Sequence, residues 1–213
     1  MKGLIKKDLI VLARNSKVIL ILFALCAFFA ILGNDNFIYI FSMLGASLMV
    51  STFAYDEQMQ WDAYAITMPN ARKNVVKSKY ITTLILILTG MVVSFILVVI
   101  SLIIKKNTFS ILESMMVILG MGSGALIMPI VMYPLFYRFG VEKSRMSLFI
   151  IFLLLVAILG MIPNNTIDTT KTTIDPSIMP ALAYVILSLP IVLIIGLFVS
   201  YKISEFIYMR KEF

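Results

Sequence analysis

Along the chain, long apolar runs alternate with short polar segments. The pattern gives six candidate membrane spans, at residues 18–32, 37–54, 81–104, 115–136, 146–162 and 181–201. Several approach the ~20 residues a helix needs to cross a bilayer. Backbone groups in lipid must find partners within their own segment, so runs of this length predict helices. The ~10-residue alternating segments of a transmembrane barrel are absent from the sequence. Only Gly33, Asn34, Asp35 and Asn36 separate the first two runs, which predicts a tight hairpin. Both runs are short for a ~30 Å core, so flanking side chains such as Lys17 are expected to snorkel.

Two polar segments are too long and too patterned to be plain connections. The first is WDAYAITMPNARKNVVKSKY, residues 61–80, which holds the single Trp of the chain. On a helix Trp61, Tyr64, Ala65 and Met68 fall at i, i+3, i+4 and i+7, the spacing of one apolar face. Asp56, Glu57 and Asp62 would sit early in this helix, where carboxylates complement its dipole. Pro69 ends it, and Asn70 can cap a second helix that starts near Ala71 and rises through Lys77 and Lys79 into the third span. Two uses fit these residues: an interfacial helix at the lipid headgroups, or an aromatic anchor that docks on a partner protein. The second polar segment is the amino terminus, MKGLIKKDLIVLARNSK. Leu4, Ile5, Leu9 and Leu12 turn towards one face while Lys2, Lys6 and Lys7 lie off it, which predicts an amphipathic helix on the membrane surface.

Composition confirms the class and charge sets the orientation. The 213 residues are 61% hydrophobic with a mean hydropathy of +1.03, against ~45–50% apolar for a soluble domain. The net charge of +7 fits membrane orientation and anionic lipid better than nucleic acid. Fifteen of the 18 lysines and arginines fall on one side of the six-span layout. The positive-inside rule then makes both termini and the 61–80 segment cytoplasmic. On the outer side, NNTIDTTKTTIDPSIMP at residues 164–180 reads as an exposed loop. The lone Cys26, within an apolar run, cannot form an intramolecular disulfide, and the first run reads as a retained span without a cleavage site.

The residues that are missing narrow the chemistry. The expected span interiors hold no Asp, Glu, Lys or Arg, and the chain has no His. Ion-coupled transporters usually place an ionisable group at mid-depth. Glu113, at the edge of the fourth span, reads more simply as a solvated or capping carboxylate. An H-E-x-x-H zinc site is excluded, and no G-x-x-x-x-G-K-[ST] phosphate loop exists. No catalytic, cofactor-binding or metal-binding residues are therefore expected, and uphill transport would need another polypeptide. The fourth span carries GMGSG, with Gly120 and Gly124 as a small-x-x-x-small pair, followed by Pro129 and Pro134. These fit close packing of a bent helix or a moving, pathway-lining one.

Three stretches resemble the small six-span permeases of the ABC-2 exporter class. They are the basic "K-D" opening MKGLIKKDLIVLARN, the segment from Glu57 through WDAYAITMP, Arg72-Lys73 and KSKY, and the basic-aromatic tail YKISEFIYMRKEF. Trp61, Asp62, Tyr64, Pro69, Arg72, Lys77 and Tyr80 match in order, while Asn70-Ala71 departs from the family's pattern. The likeness covers the full chain. It implies an all-α integral membrane protein: six transmembrane helices, an amphipathic amino-terminal helix, and a cytoplasmic coupling helix between spans two and three. The whole, residues 1–213, would be one transmembrane domain in a bacterial cell membrane.

The resemblance further implies a separate ATPase subunit that binds ATP and Mg, and a second permease, identical or different. Glu57, Trp61, Asp62, Tyr64, Met68, Pro69, Arg72 and Lys73 would then couple to the ATPase, while Gly120, Gly124, Pro129 and Pro134 would serve packing or gating. Within the family the chain looks most like permeases that export amphipathic peptides, such as phenol-soluble modulin exporters, or that give peptide-antibiotic immunity. Met-rich apolar walls would suit such greasy cargo. A non-transport sensor or assembly factor, and a passive channel, stay open as alternatives.

Overall fold

The computed structural model describes residues 2–14, 17, 20, 21, 24, 28, 35–65, 67, 71–105, 111–147, 149, 150 and 179–210, without the side chains of 35–37, 71, 104, 105 and 179–188. The expected spans at 18–32 and 146–162, the loop 164–180, Cys26 and the Met68-Pro69-Asn70 break lie wholly or mostly outside these residues. The described residues form helices and no strand. We number the helices α1 (Lys2–Arg14), α2 (Phe41–Gln58), α3 (Trp61–Ala65), α4 (Ala71–Lys105), α5 (Ile111–Phe139) and α6 (Met179–Arg210). A 3₁₀ segment, Asp35–Ile40, leads into α2.

Four helical stretches among the described residues are long and apolar enough to cross a membrane: Ile38–Gln58, Arg72–Ile103, Ile111–Phe139 and Leu189–Arg210. They coincide with the second, third, fourth and sixth expected spans. Each runs further than the apolar pattern suggested. At 35 residues α4 is about 50 Å long, well beyond a ~30 Å hydrocarbon core. Its first turns therefore form part of a polar cap at one end of the bundle. The starting point near Ala71 agrees with the sequence reading.

Packing follows the small residues. A Cβ on Gly45 would meet the Leu86 carbonyl oxygen at 2.5 Å, and one on Gly90 would meet the Phe41 carbonyl oxygen at 2.5 Å. The backbones of α2 and α4 thus touch at two reciprocal glycines, a closeness only glycine permits. In α5, by contrast, a Cβ on Gly120 or Gly124 would meet nothing within 4 Å among the described residues, whereas Gly122 lies against Met91. Pro129 is fully buried within an unbroken α5, and Pro134 follows it in the same helix.

Pro134 also explains a link between helices. It has no N–H to give the carbonyl of Ile130, four residues earlier. The Ser200 hydroxyl of α6 donates to that carbonyl at 2.8 Å instead. Ser200 and Ser204 both pair with the Tyr80 hydroxyl of α4, at 2.8 and 2.9 Å, and the Thr83 and Tyr133 hydroxyls pair beside them. A polar seam therefore joins α4, α5 and α6, with each of these hydroxyls partnered inside the bundle as lipid requires.

Candidate functional site

The main core cluster lies at the polar end. It gathers Met49, Val50 and Phe53 of α2, Ala65 of α3, Val75, Val76 and Tyr80 of α4, Tyr133, Phe136 and Tyr137 of α5, and Tyr208 of α6. Phe53 sits within 4.8–5.4 Å of the Tyr133, Phe136 and Tyr137 rings. The five-residue helix α3 is seated on this aromatic floor.

A sharp turn makes α3 possible. The end of α2 is closed by bonds from the Met59 and Gln60 amides to the Tyr55 and Glu57 carbonyls. Gln60 takes a left-handed φ of +48°, a role usually given to glycine. The sequence reading placed Asp56 and Glu57 at the start of the docking helix, but they close α2, where the helix dipole opposes carboxylates. Each is compensated by an outside partner. Glu57 accepts the Val141 amide at 2.7 Å, capping the helical segment 141–147 across the corner at Gly140, whose φ is +83°. Asp56 accepts Lys7 on one oxygen at 2.7 Å and Lys79 on the other at 2.6 Å.

The expected apolar face of α3 is divided. Trp61 and Ala65 turn inward, and Ala65 is buried. Tyr64 turns outward and is 60% exposed, and Met59 beside it is 71% exposed. Lys7 of α1 lies 4.4 Å from the Trp61 ring centre, a cation–π contact. Asp62 accepts the Tyr208 hydroxyl of α6 at 2.9 Å. Arg72 donates to the Met209 carbonyl, and Lys73 stands 4.0 Å from Glu205. Of the eight expected coupling residues, the structure brings Glu57, Trp61, Asp62, Tyr64, Arg72 and Lys73 to one end of the bundle. Met68 and Pro69 lie outside the described residues. Gly120, Gly124, Pro129 and Pro134 are on α5, where Pro134 adjoins Tyr133 of the core cluster and Gly120 and Gly124 lie further from the cap along the helix.

Two residues escaped the sequence reading. Lys79, taken as one of the basic residues of the connection, is 2% exposed. Its ammonium uses all three donors, on Asp8 at 3.0 Å, Asp56 at 2.6 Å and Thr52 at 3.1 Å, and sits 4.8 Å from the Phe53 ring centre. Asp8 is 1% exposed, and Lys7 completes the group 3.3 Å from it. The signal was present as register. Lys79 falls between Val75 and Thr83 on the buried i, i+4 line of α4, and Asp8 falls between Leu4 and Leu12 on that of α1. The buried face of α1 thus includes Asp8, while Leu9, expected on it, is 40% exposed.

A cavity of about 50 Å³ adjoins this group, lined in part by Asp56, Glu57, Asp62, Lys79 and Tyr137. Among the described residues no three Asp, Glu, His or Cys side chains converge as metal ligands.

The fold and this cap describe a multi-pass helical membrane protein whose polar end holds a one-turn helix with one side exposed. Comparison with known families agrees. Residues 3–209 match the family model described as ABC-2 family transporter protein. The chain belongs to that family and is an ABC-2 type permease. No curated protein and no solved structure matches it significantly.

Proposed function

We propose that the chain is the permease subunit of an ATP-driven exporter, and that α3 is where a separate ATPase pushes on it. The observation that carries this reading is the division of α3. Its inner face is fastened to α1 through Lys7 and Trp61, to α6 through Asp62 and Tyr208, and to the core through Ala65. Its outer face, with Met59, Gln60, Ala63, Tyr64 and Thr67, is exposed. A rigidly braced projection with an exposed aromatic and a thioether suits a site that must transmit force from a partner. ATP and Mg would bind that partner, since this chain has no phosphate loop.

On this reading the polar end is cytoplasmic, as the distribution of lysine and arginine favours. Two permeases would enclose the cargo route, and the apolar, Met-rich helices suit amphipathic peptides or similar hydrophobic cargo. The division of α3 separates two functions that one residue set was expected to share. Tyr64 and Met59 would contact the ATPase. Trp61, Asp62, Glu57, Arg72 and Lys73 would pass the displacement inward.

The test is affinity of the purified permease for an ABC ATPase encoded beside it. Tyr64→Ala should weaken the complex by about 1–2 kcal/mol, about 5–30-fold, and cost the permease at most about 1 kcal/mol of stability, since its exposed ring meets the Trp61 ring at 5.3 Å. Trp61→Ala should lower stability as well, because its ring packs on the core. Absence of any complex with wild-type permease would make a non-transport or passive role the better reading.

A further inference from the structure

Lys7, Asp8, Asp56 and Lys79 form a closed square of charge contributed by three helices. Lys7 and Asp8 come from α1, Asp56 from the end of α2 and Lys79 from α4. Each ammonium reaches both carboxylates: Lys7 at 2.7 and 3.3 Å, Lys79 at 2.6 and 3.0 Å. The square is neutral, and two of its four members are almost wholly buried.

Such a group is a poor choice for stability alone. Taking charges out of water costs more than apolar packing of the same volume, so hydrophobic residues would hold these helices at least as well. The square does something apolar packing cannot. It can be paired in two ways, Lys7 with Asp56 and Lys79 with Asp8, or Lys7 with Asp8 and Lys79 with Asp56. Passing from one pairing to the other leaves no charge without a partner. Its acceptors are also incompletely used, since the second Asp8 oxygen is buried with no partner among the described residues. The adjoining cavity, lined by both Asp56 and Lys79, gives these side chains room to shift. Lys7 ties the square to α3 through Trp61, and Asp56 stands just before the Met59–Gln60 turn from which α3 springs.

We propose that this square is a sliding joint: when α3 is displaced, its four charges exchange partners and let α1 move along α2 and α4. Lys79 and Asp8 are positioning residues in this scheme, since they touch neither nucleotide nor cargo. The inference rests on the reading of α3 as the ATPase contact.

The experiment uses the full permease reconstituted in liposomes with its neighbouring ABC ATPase. Two signals are read: affinity for the ATPase, and the nucleotide-dependent distance change between labels on α1 and α4, at the exposed positions of Lys6 and Lys77. Lys79→Met should keep affinity within about twofold, because it lies off the docking face, while the distance change and permease-stimulated ATP hydrolysis fall by about tenfold or more. Lys79→Arg keeps a cation that can reach both carboxylates, preserves the alternation of charge around the square and should retain both signals.

Should Lys79→Met fail to fold, the neutral set Lys7→Met, Asp8→Asn, Asp56→Asn and Lys79→Met strands no buried charge and decides the matter. Normal coupling in that neutral set, or lost coupling in a folded Lys79→Arg, overturns the joint. Loss of ATPase affinity in the wild-type permease overturns the docking reading and the joint with it. Intact affinity with unaltered coupling in Lys79→Met overturns the joint alone.

Discussion

Ser200 donates its hydroxyl to the carbonyl of Ile130 at 2.8 Å, and that carbonyl is the one Pro134 leaves without a helical donor. The proline and the serine are therefore two halves of one device on different helices. Ser200→Ala should strand the carbonyl and destabilise the permease by about 1–3 kcal/mol. Pro134→Ala restores the missing N–H, so adding it to Ser200→Ala should recover most of the loss. A double-mutant cycle on unfolding in detergent measures the coupling, and strictly additive effects would refute the device.

The contact of Gly45 and Gly90 with facing backbone predicts an asymmetry among glycines. Gly90→Ala places a methyl 2.5 Å from the Phe41 carbonyl oxygen, and should cost about 1–3 kcal/mol or more as α2 and α4 are forced apart. Gly120→Ala meets open space among the described residues and should be neutral, or gain up to about 1 kcal/mol from helix propensity. Equal melting losses for the two variants would show that the packed face of α5 has been assigned wrongly.

Gly140 should tolerate no side chain. Its φ of +83° disfavours any L-residue by about 1–2 kcal/mol, and a Cβ would lie 2.6 Å from a Glu57 oxygen. Gly140→Ala should thus strain the corner and push Glu57 off the Val141 amide. Glu57→Gln keeps an acceptor of the same length and should fall well short of Glu57→Ala in its cost. Amide exchange at Val141 reports the cap directly, and should quicken in Gly140→Ala and Glu57→Ala.

The Tyr208 hydroxyl fastens α6 to α3 through Asp62. Tyr208→Phe removes one charge-assisted bond while leaving the ring packed on Tyr137, 5.2 Å away. We expect a loss of about 1.5–3 kcal/mol in stability. Proteolysis should open the 59–67 stretch before any other region. Unchanged protection there would mean that the Trp61 and Ala65 contacts hold α3 without the Tyr208 hydroxyl.

How much of this was legible in the sequence depended on whether hydrophobicity carried the signal. The second, third, fourth and sixth spans, the Ala71 start and the short helix at Trp61 followed from apolar runs, spacing and a proline. The end of α2 at Gln58 did not, because its last, acidic turn is held by Lys7, Lys79 and the Val141 amide from other parts of the chain. Asp56 and Glu57 looked like the start of a new helix, since a dipole argument sees only the local chain. Their compensating partners are Lys7, Lys79 and the Val141 amide, 23 to 84 residues away. Lys79 was hidden by its neighbours: in KSKY a lysine reads as a headgroup contact unless the i, i+4 line through Val75 and Thr83 is followed. Gly45 and Gly90 were invisible for a similar reason, because a reciprocal contact between helices needs both backbones in view.

The crossing of α2 and α4 has one more consequence. Contact between backbones at Gly45 and Gly90 leaves no compressible side-chain layer there. Gly45 lies 13 residues, about 20 Å, below the last residue of α2, next to the turn that carries α3. The crossing is therefore a fulcrum with a long arm on the polar side. A tilt of a few degrees about it moves the tip bearing α3 by an ångström or more, and the α4 segment beyond Gly90 swings the opposite way.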